Sequence, residues 1–363
     1  MGQPLRVGIV GVGAISNVYL DTFERLEAVR LIAVADLDRA RARAVAAERG
    51  VHALTVDELI AHPEVDLVLN LTVPAAHAEV ALKAIAAGKG VYNEKPLAAD
   101  LESARAVVEA GRAAGVSVGC APDTVLGTGV QTARKAVDEG VIGAPVAATA
   151  TMAAPGHELW HPNPDFYYQP GGGPLLDMGP YYITALVTLL GPVASVVGAA
   201  SRSRQTRVIG SGPREGESIP VEIDTHVTGV LRHESGVLST LVMSFDTVGT
   251  RASNIEVHGQ LGSMVVPDPN HFDGEVRIRL LGGEWEVREP DAGYLDSARG
   301  YGLADLAATP AGEQCRANGD LAFHVLEVMT ALLASAETGT TVPVESTCKR
   351  PPAVPLQEAP KAA

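Results

Sequence analysis

The chain has 363 residues, 46% hydrophobic and 20% charged, with a formal net charge of -15. That length suits two domains rather than one, and the composition suits a globular protein with a sizeable core. The acidic balance, with no block of lysine or arginine, argues against nucleic acid or an anionic membrane as a partner.

Taken in order, the first 120 residues alternate short β-branched runs with alanine-rich amphipathic stretches. Leu5–Val10, Leu31–Asp36, Asp66–Leu71, Gly90–Asn93 and Val116–Cys120 read as strands, nearly continuous apolar runs of the kind covered on both faces. Ile15–Glu27, Arg39–Arg49, Ala76–Ala87 and Leu101–Ala114 read as helices, with glycines Gly50, Gly88 and Gly115 marking three helix ends. This βαβ rhythm predicts a doubly wound parallel sheet of the Rossmann type over residues 1–122.

The pattern changes after Pro122. A helix over Val125–Glu139 and a strand over Val146–Met152 lead into a Pro-, Gly-, His- and aromatic-rich loop from Ala153 to Gly173, then a helix over Leu176–Leu190. Val193–Ser201, Thr225–Arg232, Val237–Phe245, Asn254–His258, Ser263–Val266, Val276–Leu280 and Glu284–Arg288 follow as strands separated by glycine turns. They predict a second α/β domain, residues 123–348, built on a large open antiparallel sheet. Arg202–Pro220 reads as a mobile loop, Asp320–Glu337 as a closing helix, and residues 349–363 as a proline-rich surface strap. No uninterrupted apolar run approaches the ~18 residues of a membrane span. The N-terminus does not show the charged and apolar regions of a signal peptide. Three distant cysteines, Cys120, Cys315 and Cys348, suit neither a disulfide framework nor a zinc site and point to a reducing cytoplasm.

Gly11-x-Gly13-x-x-Ser16 follows a strand and opens a helix, the context of the dinucleotide fingerprint. The glycines allow a tight turn and close backbone approach to a pyrophosphate, and the helix start through Ala14, Ile15 and Ser16 supplies N–H donors. Ser16 stands where the strict motif has a third glycine. Asp36 closes the second strand, where a carboxylate binds ribose hydroxyls and repels a 2′-phosphate, favouring NAD over NADP. Arg39 is close enough in sequence to accommodate that phosphate after rearrangement.

The chain resembles the Gfo/Idh/MocA oxidoreductases. The resemblance rests on Gly11–Ser16, Thr72-Val73-Pro74-Ala75-Ala76-His77, Ala87-Gly88-Lys89 leading into Glu94-Lys95-Pro96, and Gly171-Gly172-Gly173 followed by Asp177-Met178-Gly179. It implies NAD(P)-dependent oxidation of a sugar or cyclic polyol, and a dimer or tetramer of this chain formed through the C-terminal sheet. Glu94 and Lys95 would lie near the nicotinamide ribose, and Thr72, Pro74 and His77 in the loop under the cofactor. Lys95 would stabilise the substrate oxygen as its proton leaves, aided by a nearby cationic ring that lowers the lysine pKa.

The second half of the site departs from the family pattern. The commoner motif is Asp-x-Gly-x-His with an Asp three residues on; here the series is Asp177, Gly179, Tyr181, with Thr184 in the last place. Asp177 and Tyr181 are four apart and share a helix face. One reading is a Lys95–Tyr181 acid–base pair oriented by Asp177, the lysine offsetting the high reference pKa of tyrosine, about 10. The other is that Tyr181 packs or binds substrate while Lys95 or a water handles the proton.

The stretch His157–Gln169 gathers aromatic and polar tips suited to a sugar ring, with Trp160 and Gln169 as candidate substrate contacts. Asp123, just past the last Rossmann strand, is a further candidate. His157 and His161 are four apart but lack further close ligands, so no metal site is expected. The leading expectation is an NAD-dependent dehydrogenase acting on a secondary hydroxyl. The alternatives are a non-catalytic dinucleotide-binding regulator and a glycosidase that uses NAD for transient oxidation.

Overall fold

The computed structural model describes residues 3–310 and 312–361. The chain divides into two compact units. The first begins with β1 (Leu5–Val10), α1 (Ser16–Phe23), β2 (Val29–Ala35), α2 (Arg39–Arg49), β3 (His52–Leu54), α3 (Val56–Ala61), β4 (Leu67–Asn70), α4 (Pro74–Ala86), β5 (Gly90–Asn93), α5 (Leu101–Ala114) and β6 (Val118–Cys120). The six strands pair in parallel in the order β3-β2-β1-β4-β5-β6, so the winding reverses between β1 and β4. Val10, Ile32, Ala33, Leu59, Val68 and Ala84 belong to a buried cluster that joins this sheet to its helices.

Asp38 caps α2, accepting from the Ala40 and Arg41 amides, and Asp100 caps α5 from the Ser103 amide. The short β3–α3 excursion was not expected from the sequence. Its signal was present in Thr55 and Glu58, which form a reciprocal capping box at the start of α3.

The second unit contains the greater part of α6 (Thr128–Asp138), β7 (Pro145–Ala153), α7 (Pro174–Leu190), β8 (Val193–Ser201), β9 (Thr206–Val208), β10 (Ser218–Pro220), β11 (His226–His233), β12 (Leu238–Ser244), β13 (Ile255–Gly259), β14 (Gly262–Val266), β15 (Val276–Leu280) and β16 (Glu286–Arg288). Its large sheet runs β16-β15-β14-β13-β7-β12-β11-β8 with a short final strand at the β8 edge. The sheet is mixed rather than wholly antiparallel, because β7 and β12 run parallel in register from Ala147/Leu238 to Ala153/Ser244. Residues alternate in burial along β12, with Ser239, Leu241 and Met243 inward and Leu238 and Thr240 outward. α7, buried without a break from Gly179 to Leu190, packs against β7, β11 and β12.

The Arg202–Pro220 segment is not a loose loop. β9 and β10 pair as an antiparallel hairpin, and Arg207 on β9 is among the most buried side chains, 2% exposed. Its guanidinium binds Glu158 at 2.8 Å, Asp246, and the Pro155 carbonyl at 3.0 Å, stapling the hairpin to the aromatic loop.

The domain limits also differ from the sequence expectation. The first unit extends to Thr128 and takes in residues 292–326 and 351–363. Within it, α8 (Tyr301–Ala307) follows a left-handed Gly300. The tail pairs with the 292–295 segment through Gly293 N to Val354 O, 2.9 Å, and Leu295 N to Gln357 O, 2.8 Å. Apolar Val354 is fully buried there, so the strap is an integral part of the unit. α9 (Gly319–Thr338) is long and apolar enough to cross a membrane by length and composition, a property the search for uninterrupted runs overlooked. About two-thirds of its apolar window is buried in the fold, and it carries Asp320, Glu327 and Glu337. It therefore reads as a core helix. β17 (Val342–Pro343) adds the edge strand beside β8.

Candidate functional site

The glycine turn is built for close approach on one side and tight packing on the other. Gly11 has φ +92, and a side chain there would meet the Leu71 backbone at 2.8 Å, so only glycine fits. A Cβ on Gly13 meets nothing within 4 Å, leaving the backbone open at the start of α1. Ser16 is buried and donates to the Gly13 carbonyl at 2.7 Å, closing the turn in place of a third glycine. Ala14 is exposed and Ile15 half-buried at this helix start. These features fit a pyrophosphate lying on the turn.

Asp36, just past β2, accepts from the Val12 amide at 2.9 Å and the Asp38 amide at 2.8 Å. It also binds Arg41 at 2.9 Å, so Arg41 rather than Arg39 is the cation at this position. Burial works to raise the Asp36 pKa, but the Arg41 and amide hydrogen bonds outweigh it and hold the carboxylate below its usual range. It is therefore an ionised acceptor at the β2 end.

The Glu94-Lys95-Pro96 turn, with a cis Lys95–Pro96 bond, follows β5. Glu94 accepts from Tyr19 at 2.8 Å and from the Lys95 amide at 2.9 Å. Burial and the neighbouring Glu94 raise the Tyr19 pKa well above its ordinary value, so the hydroxyl stays a donor. Asn93 donates to the Leu97 carbonyl at 2.8 Å, and Asn70 donates to Asn93 at 3.1 Å while accepting from the Thr72 hydroxyl at 2.7 Å. Thr72 thus lies beside the β4 end on a loop tied to the lysine turn, and Pro74 ends that loop as the first residue of α4.

His77 plays a different part from the one expected. It is 1% exposed, with Nδ1 2.7 Å from the Pro96 carbonyl and Nε2 3.0 Å from the Thr72 carbonyl. Burial lowers its pKa against the pull of those two carbonyls. The ring lies too deep to touch a ligand and instead clamps the Thr72 loop to the lysine turn. Asp123 is likewise no substrate contact. It is 1% exposed, and its Oδ2 accepts from the Gly300 and Gly302 amides at 2.8 and 2.9 Å. Desolvation raises its pKa to about 6 despite those bonds.

In the second unit Asp177 lies in the first turn of α7, where a carboxylate meets the positive end of the helix dipole. Tyr181, one turn on, is largely buried. The unexpected partner of Asp177 is His157, whose Nε2 lies 3.0 Å from Asp177 Oδ2. Trp160, Tyr167 and Phe245 surround the His157 ring at centroid distances of 5.1, 4.5 and 4.4 Å. Trp160 is 59% exposed and Gln169 is also exposed, so both present their tips outward. Asp165 is paired with Arg214 at 2.6 Å. Among the described residues no group of three or more His, Cys, Asp or Glu side chains is arranged to hold a metal.

Sequence reasoning missed the asparagines, the Tyr19–Glu94 bond and the His157–Asp177 pair. Asn70 and Asn93 did carry a signal, being polar residues that end two otherwise apolar parallel strands. The histidine pairing carried none, since the partners stand twenty positions apart with no shared periodic pattern between them.

Comparison with known proteins bears on family and fold. Residues 5–121 match the family profile described as "Oxidoreductase family, NAD-binding Rossmann fold", and residues 130–265 match "GFO/IDH/MocA C-terminal domain". The 1,5-anhydro-D-fructose reductase of Ensifer adhaerens is 30% identical, over 94% of this chain and 99% of its own. The myo-inositol 2-dehydrogenase of Thermotoga maritima is 27% identical, over 71% and 74%. An NAD binding oxidoreductase from Klebsiella pneumoniae shares the fold with a TM-score of 0.82 at 24% identity, over 94% of this chain and 99% of that one.

Proposed function

Because the chain belongs to the Gfo/Idh/MocA family of oxidoreductases, we propose that it oxidises a secondary hydroxyl of a sugar or cyclic polyol with NAD. The observation carrying this reading lies at the winding reversal between β1 and β4, where open α/β sheets bind their ligands. The glycine turn follows β1, the Thr72 loop follows β4, and the Glu94-Lys95-Pro96 turn follows the neighbouring β5. Three binding elements therefore share one edge of one sheet.

The turn from Gly11 to Ser16 would hold the pyrophosphate, and Asp36 the adenosine ribose. The ionised Asp36 supports NAD over NADP, since a 2′-phosphate would meet a negative charge. When bound, NAD supplies the hydride acceptor. Lys95, placed by the Asn93 and His77 clamps, would stabilise the alkoxide that develops as the substrate hydroxyl loses its proton. By resemblance to the family, Asp177 and Tyr181 would serve in holding the substrate and handling its proton, and Trp160 and Gln169, both exposed, would be substrate contacts. Aromatic faces with polar tips suit a ring that carries hydroxyls on apolar carbons.

We further place self-association on the outer face of the nine-stranded sheet. Val146, Val197, Val230 and Leu238 are exposed there, and Val230 pairs in register with Val197. A cytoplasmic setting suits the three buried thiols Cys120, Cys315 and Cys348.

The direct test incubates the purified protein with NAD and either myo-inositol or D-glucose, and with NADH and 1,5-anhydro-D-fructose, following absorbance at 340 nm. Cofactor-coupled turnover that Lys95→Met lowers by about 100-fold or more supports the proposal. Cofactor binding without turnover of any of the three would favour a non-catalytic regulator. Cleavage of a glycoside without net NADH would favour the glycosidase.

A further inference from the structure

Tyr181 stands where the family pattern places a histidine, yet the structure brings another histidine to the same aspartate. We propose that His157, oriented by Asp177, is the group that takes the substrate's hydroxyl proton, with Tyr181 left to hold the substrate. This deepens the dehydrogenase reading and rests on it.

The geometry makes His157 a defined base. An imidazole that donates Nε2–H to the Asp177 carboxylate at 3.0 Å is fixed in one tautomer, with the lone pair on Nδ1. The same carboxylate stabilises the imidazolium once the proton arrives. Trp160, Tyr167 and Phe245 hold the ring from their own segments. The backbone beneath it is equally fixed. Gly156 has φ +117, and a Cβ there would lie 2.2 Å from Glu158 Oε2. Glu158, the next residue, is pinned inward by Arg207 and Tyr168. The side chains of His157 and Asp177 remain 13% and 19% exposed, so the pair is not sealed from a ligand.

Side-chain chemistry also favours histidine over Tyr181, since imidazole as a class exchanges a proton near neutrality whereas a phenol holds its own there. Tyr181 is the more buried of the two. Asp177 bonds the ring, and Tyr167 packs edge-on against it. The nearby charges Glu158, Arg207 and Asp246 are paired with one another. In the step itself the substrate O–H bond would break, with its proton taken by His157 Nδ1 and its electron pair forming the carbonyl. Bound NAD would supply the acceptor for the hydride that leaves the same carbon, and the imidazolium would then release its proton to water.

The test uses the full chain and the fastest of the three substrates named above. His157→Gln keeps a donor near Asp177 but cannot carry a proton. Its expected effect is a fall of about 100-fold or more in kcat, with KM and NAD affinity within about 3-fold, and loss of the acidic limb of the pH–rate profile. A kcat within about 3-fold of the parent, with the limb intact, overturns the proposal. So does transfer of the whole effect to Tyr181→Phe. A second readout needs no turnover: the His157 tautomer, read from the imidazole nitrogen shifts by NMR in the parent and in Asp177→Ala. The parent should hold the proton on Nε2, toward Asp177, and Asp177→Ala should lose that preference. A tautomer that does not change refutes the pair even where the parent turns over normally. A parent that binds NAD yet oxidises nothing counts instead against the dehydrogenase reading.

Discussion

Asp123 offers a clean test of how burial controls charge in the first unit, through Asp123→Asn. The carboxyl is 1% exposed, so solvent does not screen it, and desolvation is the largest influence on its pKa, raising it from 3.8 to about 6. The Gly300 and Gly302 amides and Arg299 pull the other way, while Glu94 adds repulsion. Because the folded-state value is raised, the native protein keeps this proton between about pH 4 and 6 while the unfolded chain has already released it. Native protein then binds more protons than unfolded, so this contribution to stability is complete below about pH 4 and is lost as pH rises through 6. A shift of about two units at ~1.4 kcal/mol each makes the loss about 3 kcal/mol. Asparagine keeps an oxygen for the two amides and does not titrate. The stability of Asp123→Asn relative to the parent should therefore rise by about 3 kcal/mol from pH 4 to 7. Urea unfolding followed by circular dichroism at half-unit steps measures this difference directly, whatever offset the amide itself adds. A difference that stays flat within about 0.5 kcal/mol would show that Asp123 is ionised throughout, and the desolvation argument would be wrong.

Asp36→Ser should weaken NAD by about 10- to 100-fold, as expected for losing a charge-assisted contact. NADP should weaken less or tighten, because Arg41 is released from its 2.9 Å pairing; fluorescence titration with both nucleotides decides, and an unchanged affinity ratio would refute the role. Arg207→Met leaves Glu158 and Asp246 without their shared cation, a loss of about 3–5 kcal/mol, or roughly 6–20 °C in Tm for a unit of this size. A Tm within about 2 °C of the parent in a thermal melt would mean the network is not holding the hairpin. The double variant Val197→Lys and Val230→Lys should convert an oligomer to monomer by light scattering, since like charges would face each other in register across β8 and β11; a monomeric parent would remove the outer sheet face as an assembly surface.

What the sequence revealed and what it concealed follow from the range of the interactions. The glycine turn, Asp36 and the Glu94-Lys95-Pro96 turn were legible because each lies at a strand end within a local, periodic pattern. Tyr181 was legible as a neighbour of Asp177 for the same reason: it sits at a fixed spacing from it on one helix. Several misreadings concern polar side chains whose partners are distant. Arg202–Pro220 looked mobile because its composition is that of a loop, and nothing local reveals that Arg207 meets Glu158 and Asp246, 49 and 39 residues away. Asp123 looked available for substrate until a segment 177 residues on placed two amides against it. The partner of Asp177 is the sharpest case. A periodic motif shows which residues share a helix face with Asp177, but only folding shows that a loop has brought His157 to the same aspartate. The positions of Lys95 and Asp177 are therefore legible in local sequence, whereas the His157–Asp177 pair is a tertiary feature, set by how Gly156, Glu158 and Arg207 aim the loop.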